Sequence, residues 1–199
     1  MLDDHALLAH WRDGDRSAGD ALFERHFKSV RRFFKSKVGP THAEDLIQRT
    51  FLGCIQSMPL YRGDASFRTY LFAVARNVLY MHFRQLHRGP GLEPDASVRS
   101  VVDLKTGVST ALGRQDERRL IQVALRHLPI EAQTLLELAY WEGLTALELA
   151  KVFDVSPITI RTRKHRARAK LREIVDALRD PNSALVHDLD AATADAREN

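Results

Sequence analysis

Apolar residues recur three and four positions apart through most of the chain, the spacing of helices that bury one face. No alternating apolar and polar run is long enough to suggest a sheet. Asp3 or Asp4 can cap a first helix that carries Leu7, Leu8 and Trp11, and Gly14 ends it. A second helix is predicted from Ser17 to about Val38 with Leu22, Phe23, Phe27, Val30 and Phe34 inward. Gly39-Pro40 breaks it, and Thr41 is expected to cap the next helix with Glu44 completing a capping box. That third helix turns Ile47, Phe51, Cys54, Ile55 and Met58 to one side and stops before Pro59. A loop from Leu60 to Ala65 leads into a fourth, from Ser66 to about His87, with Phe67, Leu71, Val74, Val78 and Met81 inward.

Gly89-Pro90-Gly91-Leu92-Glu93-Pro94 closes this unit. From there to Gln115 no period is sustained, and the stretch is too long for an ordinary connection inside one compact domain. Helical periodicity resumes at Asp116 and runs to about Leu178. The prediction is an all-α protein of two small helical domains: residues 1–88, a flexible linker 89–115, residues 116–179 and an acidic tail 180–199.

The segment from Leu144 to Arg172 reads as a helix-turn-helix. Ala150 suits the helix crossing, where a larger side chain would push the two helices apart, and Leu149, Phe153, Val155 and Ile160 fall on inward positions. Asp154 falls on the turn, a position that requires a residue tolerant of the left-handed region. Ser156 is a strong N-cap and Pro157 fits the first helical position without losing a hydrogen bond. With Ile160, Ala167, Leu171 and Ile174 inward, Arg161, Thr162, His165, Arg166 and Arg168 face outward or sideways. Early outward residues of such a helix reach base edges, and flanking cations neutralise phosphates.

Charge placement sharpens this reading more than the net charge of +4 does. Arg161, Arg163, Lys164, Arg166, Arg168, Lys170 and Arg172 form a run without an acid, and Arg76, Arg84 and Arg88 form a second cluster with His82 and His87. Two basic stripes far apart in sequence suit a polyanion held at two places, although either one alone could be a solvated helix face. Cys54, the only cysteine, excludes an intrachain disulfide and a cysteine-rich zinc site. His5 and His10 are five apart, as are His82 and His87, so neither pair shares a helix face as metal ligands do. No Gly-rich phosphate loop or nucleophile–base set marks an enzyme. No apolar run reaches membrane-spanning length and Met1-Leu2-Asp3-Asp4-His5 is not a leader, so a cytoplasmic protein without membrane insertion is expected.

A resemblance then becomes specific. Leu128-Pro129, Leu135, Leu136, Tyr140, Glu142-Gly143-Leu144-Thr145, Glu148-Leu149-Ala150, Val155-Ser156, Arg163, His165-Arg166-Ala167-Arg168 and Leu171 resemble the C-terminal domain of extracytoplasmic-function sigma factors. Ala43 to Gln48 with Thr50-Phe51-Leu52 resembles their polymerase-binding helix. Arg62 to Leu71 with Ala75-Arg76-Asn77 resembles the segment that opens promoter DNA. Together these cover most of residues 20–88 and 125–175. The implied fold is a region 2 four-helix unit and a region 4 helix-turn-helix of the winged-helix-like group.

The resemblance implies a promoter-specificity subunit of bacterial RNA polymerase, with no catalysis, metal or cofactor. Its implied partners are promoter DNA and core polymerase, through the clamp helices of the largest subunit and the flap of the second-largest. Asp45, Gln48, Arg49, Phe51 and Leu52 would hold the clamp helices. Tyr61, Arg62, Gly63, Asp64 and Asn77 would build a pocket for a −10 base drawn from the stack, with Arg76, Tyr80, Arg84 and Arg88 along the strand's backbone; plain packing is the alternative for Tyr61 and the favoured reading for Tyr70. Ser156, Thr159, Arg161, Thr162, Arg163, His165, Arg166 and Arg168 would address the −35 element. Arg49 stands where an acid is common, Met81 replaces a frequent Asp, and Lys164 replaces an apolar residue whose place its stem can cover.

A stand-alone helix-turn-helix repressor or activator would explain the C-terminal unit but leave the strand-opening segment without a role. An anti-sigma factor is a further partner the resemblance allows. The acidic tail suits a fold back onto the basic helix, with a tail of no special role as the plain alternative.

Overall fold

The computed structural model describes residues 2–61, 63–86 and 114–180. Among them are eight α-helices and one 3-10 turn, and no strand. Helix α1 (Asp4–Arg12) starts under Asp3, whose Oδ1 accepts the backbone N–H of Ala6 at 2.8 Å. Helix α2 (Arg16–Lys35) starts one residue earlier than expected, because Asp15 accepts from the N–H groups of Ser17 and Ala18 and makes the cap. The two helices touch closely: a Cβ on Gly19 would lie 2.8 Å from Trp11 Nε1.

Helix α3 (Pro40–Ser57) is capped by Gly39, not by Thr41. Pro40, with its fixed φ and no N–H to satisfy, takes the first turn, so Thr41 lies inside the helix and the expected box with Glu44 does not form. Glu44 instead faces Arg31 at 3.4 Å. After a 3-10 turn (Met58–Leu60), helix α4 (Phe67–Leu86) buries Phe67, Leu71, Ala75, Leu79 and Phe83, with Phe72 beside them. The expected stripe was rotated: Val74 and Val78 are half-buried and Met81 is exposed. In α2, Phe33 is buried and Phe27 is exposed, stacked 6.2 Å from Phe51.

The second group comprises α5 (Arg114–Arg126), α6 (Ile130–Tyr140), α7 (Ala146–Phe153) and α8 (Pro157–Arg179). Helix α5 begins slightly before the expected Asp116, and the expected linker otherwise lies outside the described residues, as does the tail after Asp180. Leu120, Val123, Ala124 and Leu128 pack with Leu136, Ala167, Ile174 and Leu178 into one core. The larger core runs from Leu22, Phe34, Leu46 and Phe67 into Leu135, Leu149, Phe153 and Ile160. The two helical groups therefore share a continuous apolar interior, with α7 laid against α4. None of the described helices is long and apolar enough to cross a membrane.

Candidate nucleic-acid interface

The helix-turn-helix forms as its local chemistry requires. Thr145 caps α7 by accepting the Glu148 N–H, while Glu148 returns its carboxylate to the Thr145 N–H and hydroxyl, both at 2.8 Å. Asp154 takes the left-handed turn with φ 53° and ψ 50°, the conformation that reverses the chain between the two helices. Ser156 Oγ accepts the Thr159 N–H at 3.1 Å and Pro157 opens α8. Leu149, Ala150, Phe153, Ile160, Ala167 and Ile174 are buried, Val155 and Leu171 half-buried. Arg161, Thr162, His165, Arg166 and Arg168 are exposed, leaving a cationic face that a duplex groove can accept. Arg163 differs: its Nη1 donates to Glu131 at 2.6 Å, which turns it back toward α6. Lys164 is half-buried, as expected of a stem laid on the core.

The second candidate face is built on α4 and the loop before it. Tyr61 is buried and its hydroxyl donates to the Ala65 carbonyl. Its ring meets Tyr70 with centroids 4.7 Å apart, and the Tyr70 hydroxyl donates to the Cys54 carbonyl at 3.0 Å. Burial pushes both phenols above their usual range, so both stay protonated donors. Gly63 has φ +84°, which lets the loop turn sharply beneath Asp64. Tyr61, Asp64, Thr69 and Tyr70 line a cavity of about 360 Å³, and Lys151 of α7 lies at its wall. Asn77 and Arg84 are exposed, while Arg62 and Arg88 lie outside the described residues.

Arg76 and Tyr80 are not free. The Arg76 guanidinium lies 4.4 Å from the Tyr80 ring centre and 4.8 Å from that of Phe153, with Glu131 at 3.9 Å. Burial drives the Tyr80 phenol up to about 12, with Glu131 adding to the effect. Helix α3 presents Asp45, Gln48, Arg49 and Leu52 as exposed residues, with Phe51 half-buried beside them. Arg49 pairs with Asp45 one turn away at 2.9 Å, so the residue that departs from the family pattern neutralises its neighbour.

A polar cluster between the two helical groups was missed from the sequence. Lys37 is fully buried and donates to Glu137 of α6, to the Phe33 carbonyl at 2.8 Å and to Ser36 Oγ at 3.0 Å. Gln133 donates to Glu137 at 2.8 Å and to the Ser36 carbonyl at 3.1 Å. Burial pulls the Lys37 ammonium below the usual lysine range, and the Glu137 charge opposes that pull. Arg32 also pairs with Glu142 across the same junction. The only local signal was Gln133 and Glu137, one turn apart inside a leucine-rich helix.

Comparison with known proteins agrees with this arrangement. The families described as Sigma-70 region 2 and Sigma-70, region 4 match residues 22–89 and 118–171. RNA polymerase sigma factor CarQ of Myxococcus xanthus is 32% identical, over 86% of this chain and 97% of its own length. The ECF RNA polymerase sigma-E factor of Haemophilus influenzae is 26% identical, over 89% of this chain and 98% of its own. In fold, the chain is similar to RpoE of Bartonella quintana, solved in complex with the anti-sigma factor NepR. That match has a TM-score of 0.61 at 20% identity, covering 79% of this chain and 96% of that one.

Proposed function

Because the chain belongs to the extracytoplasmic-function group of RNA polymerase sigma factors, and is thus a non-enzymatic promoter-specificity subunit that binds core polymerase and promoter DNA, we propose the following division of labour among its residues. Residues 1–88 carry polymerase binding and −10 capture, and residues 116–179 carry −35 recognition. The exposed residues Asp45, Gln48, Arg49 and Leu52 meet the clamp helices. Leu52 supplies apolar area, and Gln48 supplies hydrogen bonds that the Arg49–Asp45 pair leaves open.

The cavity beside Tyr61 and Tyr70 receives a base drawn from the non-template strand. Two aromatic faces and the Asp64 loop suit a flipped base, and Arg84 and Asn77 follow its backbone. Arg161, Thr162, His165 and Arg166 read base edges in the −35 duplex, and Arg168 neutralises phosphate. The observation that carries this reading is the pair of separate surfaces in one chain: an exposed cationic recognition helix and an aromatic pocket on α4. A single-site repressor has no use for the second.

In this reading the protein works in the cytoplasm, at the nucleoid when polymerase carries it. An anti-sigma factor is a further partner, supported by the fold shared with RpoE, which was solved bound to one. Run-off transcription with sigma-free core polymerase on a promoter library tests the whole reading. Specific transcripts that depend on this chain are expected, and their loss with Tyr61→Ala but not with Leu2→Ala would place the −10 pocket. Equal transcription by both variants would remove Tyr61 from the role assigned to it.

A further inference from the structure

We propose that the cleft where α2, α5 and α6 meet is a binding site for a nucleoside polyphosphate. It uses none of the residues assigned above to DNA or polymerase. The cavity there measures about 620 Å³, a size that encloses one small ligand. Four cations line it: Arg32 and Lys35 of α2, and Arg118 and Arg126 of α5. Arg32 donates to Glu142 at 2.5 Å. Lys35, Arg118 and Arg126 make no ion pair or side-chain hydrogen bond with another described residue. Arg126 is half-buried, and burial pulls its guanidinium below the usual arginine range, with the Glu137 charge opposing that pull. A guanidinium withdrawn from water in this way gains charge-assisted hydrogen bonds when a phosphate arrives. Glu137 also lines the cleft but does not bar an anion, because the buried Lys37 ammonium lies against it and cancels its charge.

The rest of the lining suits a base. Trp141 and Ile121 are 37% and 44% exposed in the same cleft, and a planar ring can cover that apolar area. Gln133 is fully buried and uses both amide hydrogens, one on the Ser36 carbonyl and one on Glu137. Its Oε1 accepts from no described residue. A buried acceptor in that state calls for an N–H, and the exocyclic amine of a base supplies one. Inorganic phosphate would use the cations alone. A nucleic-acid strand carries the same groups but follows an open track, which a cavity of this size does not offer. Because α2 belongs to one helical group and α5 and α6 to the other, no stretch of sequence carries the site whole and no phosphate-loop motif announces it.

The test uses the full chain and GTP carrying a methylanthraniloyl group on its ribose, which accepts energy from excited tryptophan. Saturable binding is expected by anisotropy. The chain has two tryptophans, and energy transfer should be lost in Trp141→Phe and kept in Trp11→Phe. The exposed variants Lys35→Glu and Arg118→Glu should each weaken binding at least ~10-fold, as for the loss of one charge-assisted hydrogen bond. Arg16→Glu, an equal charge change at the other end of α2, should leave affinity within about twofold, since charges that far apart are screened. Unlabelled GTP or ATP should displace the probe, while guanosine and tripolyphosphate should each need at least ~10 times the concentration. Tripolyphosphate as effective as GTP would reduce the cleft to a cationic surface and overturn the assignment. A randomised single-stranded DNA 12-mer that displaces the probe at lower concentration than GTP would give the cleft to nucleic acid instead. Absence of saturable binding, or binding unchanged by both Lys35→Glu and Arg118→Glu, overturns the site itself.

Discussion

Glu131 of α6 accepts from Arg163 of α8 at 2.6 Å, and so turns one cation of the proposed −35 surface back toward the fold. The pair is part-exposed on both sides, where such contacts are worth little and are screened by salt. A phosphate can therefore compete with Glu131 for the guanidinium. Glu131→Gln should raise affinity for duplex DNA about two- to fivefold at low salt, and steepen the slope of log affinity against log salt by about 1. Fluorescence anisotropy across a salt series checks this; an unchanged slope would mean that Arg163 stays turned inward for other reasons.

Arg161 and Arg166 stand exposed on α8, and among the described residues neither has a carboxylate bridge like that of Arg163. Replacing either with Ala should cost about 1–3 kcal/mol of promoter binding if it contacts a base edge. Association with core polymerase should be unchanged, because the α3 surface is on the other helical group. Footprinting of the holoenzyme beside a core pull-down separates the two. Equal losses in both would remove the division of labour between the groups.

The helix-turn-helix was legible in the sequence because its determinants are local. Asp154 at the turn and Ser156-Pro157 at the start of α8 act through neighbours a few residues away. The number and order of the four N-terminal helices were legible for the same reason. The buried stripe of α4 was not, because apolar residues occur on more than one side of it and two neighbours cover it: the other N-terminal helices and α7. Val74 and Val78 therefore match the helical period while Met81 lies in solvent. At Thr41 a valid capping signal lost to the proline beside it. Lys37 and Glu137 are 100 positions apart, and nothing near either one announces that the other will arrive. The role proposed for Tyr61 rests on a resemblance, and the approach of Lys151 and Phe153 to that face of α4 depends on the same kind of tertiary meeting.

Asp154 holds a left-handed conformation in which a Cβ is costly and glycine is at ease. Aspartate bears that cost better than most residues, so the gain from Asp154→Gly is partly offset by a more flexible unfolded chain. Melting temperature should rise by about 1–3 °C. Asp154→Val puts a β-branched side chain in the same region and should lower it by about 4 °C or more. Thermal denaturation followed by circular dichroism is the measurement. A fall with glycine would show that the Asp154 carboxylate holds the turn through its own contacts.

Glu148 ties the acid limb of stability to the α7 cap. Burial raises its carboxyl, but the Thr145 N–H and hydroxyl, the Arg68 charge and the Thr69 hydroxyl together bring it below the ordinary glutamate value of 4.5. The ionised form is thus the one the fold prefers, and the unfolded chain takes up this proton at higher pH than the folded one does. Its contribution is fully present above about pH 4.5 and is lost as pH falls through the lower folded value. Much of the side chain meets solvent, so the effect should be modest and salt-sensitive. Glu148→Gln removes the titration while keeping an oxygen able to accept from Thr145. The variant should melt lower than wild type at pH 7 and approach it between pH 5 and 3. Parallel melting curves that never converge would place the acid sensitivity elsewhere, with Asp4 the next candidate: its carboxyl is also lowered, burial notwithstanding, by Arg25 and His26.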